Sequence, residues 1–339
     1  MNTNILQWDH WHIEVSSVCA LRCPRCPRAE VPQSLLNQSL NLKFFQQQIG
    51  AHIIQQIKKI TFCGNDGDPI YCKEFVEICE WMKKINSNIQ LVVITNGSYK
   101  NSEWWQSLAN TLDCHDEIHW SLDGWDDYSN SQYRVNSNWQ SIVSGIETFT
   151  QYNTATYKVW AAIAFRFNEN QIDHMRSLAQ QWGFDSFQLT KSTKFGSTYP
   201  DAYGPVDTLQ PTDPQLIAVG HRYQRHTQTL TNRTRPGAQL KLLFAQRAKN
   251  LQQHSALCLI GNKGVFLNSR GEFYPCCWTA NRYPHNDHWQ ARFDLNHKTF
   301  DQIMADPFWQ TEFLNFSSYE CKTKCTPDKL QDPEHVSEW

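Results

Sequence analysis

The sequence predicts an α/β fold: a partial (β/α)6 TIM-like barrel followed by a small C-terminal domain built from a β-hairpin and a helix. Three observations predict it. Strand-like runs alternate with amphipathic helical stretches over the N-terminal half, each helix follows a strand, and cysteines gather both behind the first strand and near the C-terminus. Right-handed crossovers between successive parallel strands give a sheet whose loops collect at one end.

The first strand is Trp11–Val15, which contains the run His12-Ile13-Glu14-Val15. A helical stretch at Phe44–Ile57 leads to the second strand, Ile60–Cys63. The helix Phe75–Ile85 leads to Leu91–Thr95, Glu103–Leu112 to Ile118–Leu122, and Trp139–Tyr152 to Val159–Phe165. The last crossover, Asn170–Trp182, carries Ile172, Met175, Ala179 and Trp182 on one stripe, the spacing of a helix packed on a sheet, and is followed by the sixth strand, Ser186–Leu189. Cys79 shares the inner stripe of its helix with Phe75, Ile78 and Met82 and reads as a core thiol. A polar stretch with Pro and Gly, about Thr193 to Pro214, reads as a linker, followed by a helical bridge to about Ala248. Gly264-Val265-Phe266-Leu267-Asn268, Ser269-Arg270-Gly271-Glu272 and Phe273-Tyr274-Pro275-Cys276-Cys277 then read as a β-hairpin. A short helical segment follows at about Phe308–Phe316. The expected domains are residues 1–195, a linker and bridging helix at 196–248, and a C-terminal domain at 249–339.

Composition narrows the function. The chain has 339 residues and a net charge of −2, without the broad cationic surface that drives nucleic-acid binding. No run approaches a membrane span and the N-terminus lacks a signal-peptide pattern. Twelve cysteines clustered towards the two ends point to metal ligation in a reducing compartment, so a cytoplasmic location is expected.

Cys19, Cys23 and Cys26 form C-x3-C-x2-C directly after the first strand. Three thiolates on one short loop hold three irons of a [4Fe–4S] cubane and leave the fourth without a protein ligand. A zinc knuckle with a distant fourth ligand, or free thiols, is the alternative chemistry. At this spacing and position the run resembles the radical S-adenosylmethionine (SAM) superfamily, which implies that the open iron chelates SAM and that an electron from the cluster cleaves it to a 5′-deoxyadenosyl radical.

The strand-end loops carry further resemblances. Gly64-Asn65-Asp66-Gly67-Asp68-Pro69 looks like the family's Gly-Gly-Glu-Pro element, with Asp68 in place of the glutamate and Asp66 where a glycine is usual. The resemblance implies that Gly67 lets backbone groups approach the SAM ammonium and that Asp68 adds opposite charge. Thr95-Asn96-Gly97 and Ser121-Leu122-Asp123-Gly124 end the third and fourth strands, and Asn96, Ser121 and Asp123 suit the SAM carboxylate and ribose. The resemblance implies that Asn168 joins that polar shell, that Arg166 pairs with a carboxylate and that Leu189 offers backbone to the adenine. Asn-Gly and Asp-Gly are also ordinary turn formers. Arg25 stands where an aromatic usually packs on adenine. It either stacks as a guanidinium plane or turns towards an acidic or phosphorylated substrate. Tyr133-Arg134 matches an arginine common ahead of the fourth crossover helix.

Cys258, Gly271 and Cys276 fit C-x12-G-x4-C, which resembles the opening of SPASM and Twitch auxiliary-cluster domains. With Cys321 and Cys325 they imply one auxiliary [4Fe–4S] cluster, as in a Twitch domain; a four-thiolate zinc site accepts similar spacing. Cys277 is the alternative to Cys276. Cys63, ending the second strand, reads either as a small buried residue or as a thiol returning a hydrogen atom to a substrate radical. The resemblance implies SAM and two [4Fe–4S] clusters as cofactors, a small-molecule or peptide substrate, and an external electron donor such as flavodoxin or ferredoxin. Alcohol oxidation, epimerisation and peptide modification compete as reactions. No leader-recognition module is visible before the first strand. The remaining class is an iron–sulfur or zinc-binding scaffold without SAM chemistry.

Overall fold

The computed structural model describes residues 9–30, 36–196, 207–219, 224–248, 265–277, 280, 292–309, 311 and 313. Among them the strands are β1 (His10–Ile13), β2 (Lys59–Phe62), β3 (Gln90–Thr95), β4 (Glu117–Ser121), β5 (Tyr157–Ile163), β6 (Ser186–Lys191), β7 (Gln224–Thr229), β8 (Val265–Leu267) and β9 (Phe273–Tyr274). The α-helices are α1 (Pro27–Glu30), α2 (Leu42–Phe44), α3 (Ala51–Ile54), α4 (Phe75–Ile85), α5 (Ser102–Thr111), α6 (Asp127–Ser131), α7 (Trp139–Tyr152), α8 (Ile172–Gln181), α9 (Ala238–Ala248) and α10 (Phe300–Met304). The chain divides into two compact units, Met1–Val18, Leu36–Val93 and Gly237–Trp339 in the first, Cys19–Leu35 and Ile94–Pro236 in the second. No helix among the described residues is long and apolar enough to cross a membrane.

In the first unit the strands run in the order β3-β2-β1-β8-β9. β1 pairs parallel with β2, Trp11 opposite Ile60, and β2 pairs parallel with β3, Ile60 opposite Leu91. Ile60, Phe62, Leu91 and Val93 are fully buried, as strands covered on both faces require. Helix α4 turns Phe75, Ile78, Cys79 and Met82 inward, with Phe75 edge-on to Phe62 at 5.1 Å between ring centroids. The thiol of Cys79 is thus a core side chain.

The hairpin appears as β8 and β9, antiparallel with Phe266 opposite Tyr274. The sequence does not reveal that β8 lies parallel against β1, placing His12 opposite Phe266. Aromatic packing secures this edge: Trp11 lies 4.9 Å from Phe300 and Phe273 lies 5.6 Å from Trp309. The single helix expected at Phe44–Ile57 is instead α2, a wider π turn at Phe45–Ile49, and α3. The break falls at Gly50, whose φ of 84° no helix interior accepts.

In the second unit β4, β5 and β6 are parallel neighbours, with Trp120 opposite Trp160 and Trp160 opposite Phe187. Trp105, Trp120, Phe149 and Trp160 make its core, all fully buried. α5 and α7 pack closely because α7 carries Gly145, where a Cβ would sit 2.3 Å from the Trp105 indole nitrogen. The helical bridge expected from about Pro214 to Ala248 is not continuous: β7 adds an antiparallel edge strand to β6, and helix resumes only at α9. Gln-Arg-His-Thr-Gln-Thr is polar throughout and mostly exposed, so it carries no hydrophobic period. The unpaired edge of β6 supplies the hydrogen bonds that make it a strand. Neither set of strands closes on itself.

Candidate metal centre and the loops that build it

The cysteine loop belongs to the second unit. Leu21 anchors it by inserting among Tyr133, Phe165 and Leu209, and Cys19, Ala20 and Cys26 pack against that cluster. Tyr133 and Phe165 are 4.3 Å apart at their ring centroids. Cys26 N–H donates to Cys23 O at 3.1 Å, making a turn, and Pro27 opens α1 with the fixed φ a first helical residue wants. Residues after α6 grip the loop: Arg22 N–H donates to Val135 O at 3.0 Å and Asn136 Nδ2 donates to Ala20 O at 2.8 Å.

Apolar packing makes thiolates unfavourable here, and cations offset it. Burial pushes the Cys23 thiol up to about 11, opposed by Arg134, which also hydrogen-bonds it. Burial raises Cys26 too, opposed by a backbone hydrogen bond from Arg28 and by the charges of Arg134, Arg28 and Lys194. Three thiols on one loop, beside cations, fit an anionic sulfur-bound cluster whose metal displaces the protons. Their sulfurs are not gathered within 4.8 Å of one another, the spacing at which one ion takes all three. Ligands to separate corners of a cubane stand further apart.

Arg134 is placed by Asp123, whose Oδ2 accepts from its Nε at 2.6 Å. Burial works against the guanidinium charge, but Asp123 and Cys23 beside it hold its pKa above the ordinary value. Asp123 is fully buried and its other oxygen accepts from Ile163 N–H at 2.7 Å. Asn168, equally buried, donates to Asp123 O and Ile163 O, both at 2.8 Å, and accepts from Phe165 N–H at 2.8 Å. Both side chains therefore organise the main chain at the ends of β4 and β5. Asn96, at the end of β3, donates to the Cys19 sulfur at 3.7 Å and accepts from Ser98 N–H. Ser121 ends β4 and is partly buried, Arg166 Nε donates to Gln210 O at 3.2 Å, and Leu189 sits in β6 opposite Ala162.

Arg25 is buried and pairs with Asp207 at 2.9 Å, while Lys194 Nζ donates to Arg25 O at 3.2 Å. Asp207 also accepts from the amides of Gly196, Leu209 and Gln210. The guanidinium is thus turned to a partner that the sequence does not suggest.

The Gly64–Pro69 loop belongs to the first unit. A Cβ on Gly67 would lie 1.9 Å from Ser16 O, so only glycine fits. Asp68 N–H donates to Val18 O at 3.0 Å, and its side chain caps the 3-10 turn Pro69–Tyr71 by accepting from Ile70 N–H. Cys63 is partly buried just beyond β2, its carbonyl accepting from His12 Nε2 at 2.9 Å. Burial lowers His12 to about 4, which keeps it neutral.

Sequence reasoning missed Glu14. The residue is 2% exposed, with Oε2 accepting from Asp66 N–H at 2.8 Å and Oε1 from the Ser269 hydroxyl at 3.2 Å. Burial, then the charge of Asp66, pushes its carboxyl up to about 7. The available signal was a charged residue inside an otherwise apolar strand ending. In the C-terminal group, Cys276 is partly buried and Cys277 packs with Phe266 and Tyr274. Cys258, Cys321 and Cys325 lie outside the described residues.

Comparison with known proteins bears on both loops. The Radical SAM superfamily model matches residues 13–179. The GTP 3',8-cyclase of Actinobacillus pleuropneumoniae serotype 5b is 25% identical over 170 residues, covering 49% of this chain and 48% of the relative. That of Haemophilus ducreyi is 24% identical over 170 residues with the same coverage. The chain thus spans about half the length of these curated relatives. Among solved structures, anSMEcpe with bound AdoMet and the Cp18Cys peptide superposes with a TM-score of 0.52 at 14% identity, covering 93% of this chain and 85% of that one, a likeness of fold. The matched segment contains both the cysteine loop and the Gly64–Pro69 loop, and residues 13–179 of this chain form a radical SAM superfamily domain.

Proposed function

We propose that this chain is a radical SAM enzyme that reductively cleaves SAM and abstracts a hydrogen atom from an unactivated C–H bond of a small polar molecule or peptide residue. The observation that carries the reading is the C-x3-C-x2-C loop, packed on an apolar cluster beside Arg134 and Lys194, within a radical SAM domain. When bound by Cys19, Cys23 and Cys26, a [4Fe–4S] cluster supplies the electron that splits SAM into methionine and a 5′-deoxyadenosyl radical. That electron comes from an external donor such as flavodoxin or ferredoxin.

The chain's own residues hold and orient. Arg134, fixed by Asp123, stabilises the Cys23 thiolate, and Asn96 does the same for Cys19. Gly67 and Asp68 offer main-chain groups to the SAM ammonium. Asn96, Ser121, Arg166 and the Leu189 backbone remain the SAM contacts this reading assigns. Asp123 and Asn168 act through the backbone they fix, and Arg25 through its clamp on Asp207. Keeping the target carbon in reach of the 5′ carbon is then an orientation task.

In this reading residues 1–195 are the catalytic core, 196–248 connect it, and 249–339 form a Twitch-like domain whose Cys258, Cys276, Cys321 and Cys325 hold an auxiliary [4Fe–4S] cluster. A fully ligated cluster has no open iron for substrate. Held by those four thiolates, such a cluster would supply an electron acceptor beside the substrate, so oxidation of an alcohol is the favoured reaction. The partly buried thiol of Cys63 supports a second reading, an epimerase or peptide-modifying enzyme in which that thiol returns a hydrogen atom.

The test is to incubate anaerobically reconstituted, reduced protein with SAM and measure 5′-deoxyadenosine. Its formation is expected; stoichiometric zinc and no cleavage would instead leave a scaffold without SAM chemistry. With a turned-over substrate in D2O, a two-electron oxidised product supports oxidation. A redox-neutral product carrying one solvent deuterium supports the Cys63 route.

A further inference from the structure

Glu14 has no place in the ligand set above, yet it is a buried carboxylate held at both of its oxygens. Its Oε2 accepts from Asp66 N–H at 2.8 Å, and a Cβ on Gly64 would sit 2.9 Å from the same oxygen. The loop and the carboxylate therefore fit only while Gly64 stays a glycine. Its Oε1 accepts from the Ser269 hydroxyl at 3.2 Å. The backbone is fixed as well, because Glu14 N–H donates to Leu267 O at 2.8 Å. β8 thus holds the main chain of Glu14, and the turn after β8 holds its side chain. That turn is stiff: Asn268 Oδ1 accepts from Glu272 N–H at 3.0 Å, and its Nδ2 donates to the Glu272 carboxylate at 2.6 Å.

We propose that Glu14 is a positioning residue for SAM: its carboxylate, locked by Ser269 of the C-terminal hairpin, presets the main chain of the Gly64–Pro69 loop for the SAM ammonium. The inference rests on the reading of this chain as a SAM-cleaving enzyme in which that loop contacts SAM. A buried carboxyl oxygen stripped of its donor is disfavoured in either protonation state, so the amide of Asp66 is held in place while Glu14 stays enclosed. Presetting a loop lowers the ordering penalty of binding and leaves the chemical step alone, so the effect belongs in affinity. The C-terminal hairpin thereby contributes to SAM binding without supplying a ligand.

The experiment uses the full, cluster-reconstituted chain with E14Q and S269A variants and three measurements. Amide hydrogen exchange without SAM reports the loop directly; E14Q is expected to expose Asn65 and Asp66 about tenfold faster. Equilibrium dialysis with SAM and no reductant is expected to show about tenfold weaker binding, and steady-state 5′-deoxyadenosine formation about a tenfold higher KM with kcat within about twofold. S269A should move the same quantities by about threefold, and it carries the test if E14Q does not fold. Wild-type protein that binds no SAM overturns the function on which the proposal rests, and the SAM role of Glu14 with it. Wild-type protein that binds SAM, beside variants matching it in affinity and exchange, overturns the positioning role alone. So does a variant whose kcat falls while its KM stays unchanged.

Discussion

The cysteine loop and the Gly64–Pro69 loop solve opposite problems. The cysteine loop is defined by side chains: three thiols, an apolar anchor at Leu21, and a guanidinium placed by Asp123 beside Cys23. The Gly64–Pro69 loop is defined by main chain: Gly67 lies against the Ser16 carbonyl, Asp68 N–H against Val18 O, and Asp66 N–H against a buried carboxylate. The difference explains how the first loop keeps its three cysteines and departs only at Arg25 between them, while the second departs at Asp66 and Asp68. A side-chain ligand has no substitute, whereas a main-chain contact tolerates any side chain that leaves the backbone in place.

That contrast breaks most directly at the thiols. Replacing Cys19, Cys23 and Cys26 together by Ala is expected to abolish 5′-deoxyadenosine formation. Iron analysis of the reconstituted variant should show about half the roughly eight irons that two [4Fe–4S] clusters require. Full cleavage by the triple variant would end the account of this loop.

Next in size is the support beneath it. Asp123→Asn keeps the shape but removes the charge opposite Arg134, leaving a largely enclosed guanidinium, and is expected to destabilise the apo-protein by about 3–4 kcal/mol. Denaturant unfolding measures it, and a loss below about 1 kcal/mol would show that Asp123 acts only through its hydrogen bond to Ile163 N–H. In the main-chain loop, Gly67→Ala forces a methyl into the Ser16 carbonyl and should lose about 2–3 kcal/mol by the same method. An equal change at Gly196, where nothing lies within 4 Å, meets only the strain of its φ of 87° and should lose about 1 kcal/mol.

The last effect is the pH dependence of Glu14. Its carboxyl is raised from 4.5 to about 7 in the folded state, so between those values the native protein binds the proton and the unfolded chain does not. Stability from this group is therefore present at low pH and falls as pH rises through that window. The difference in unfolding free energy between wild type and E14Q should shift against wild type by about 2 kcal/mol from pH 5 to pH 7. A constant difference would place the Glu14 carboxyl at an ordinary pKa.

Much of the scaffold was legible because its signals are local. The inner stripe Phe75, Ile78, Cys79 and Met82 marks the helix Phe75–Ile85, and the sequence also places a helix at Trp139–Tyr152; both have these bounds in the structure. β7 was not legible, because its six residues are polar and only the free edge of β6 makes them a strand. The break at Gly50 was hidden by apolar residues that continue a helical spacing across it.

The candidate site divides along the same line. The sequence by itself determined the three thiols and their spacing, since ligand chemistry is written in residue type and loop reach. Tertiary structure alone decided that Arg25 faces Asp207, that Asp123 serves Arg134, and that Glu14 and Ser269 meet across the chain. Those pairings join residues 182, 11 and 255 positions apart. A buried charge takes whichever partner the packed chain brings within hydrogen-bond reach, and over such separations that choice belongs to the fold.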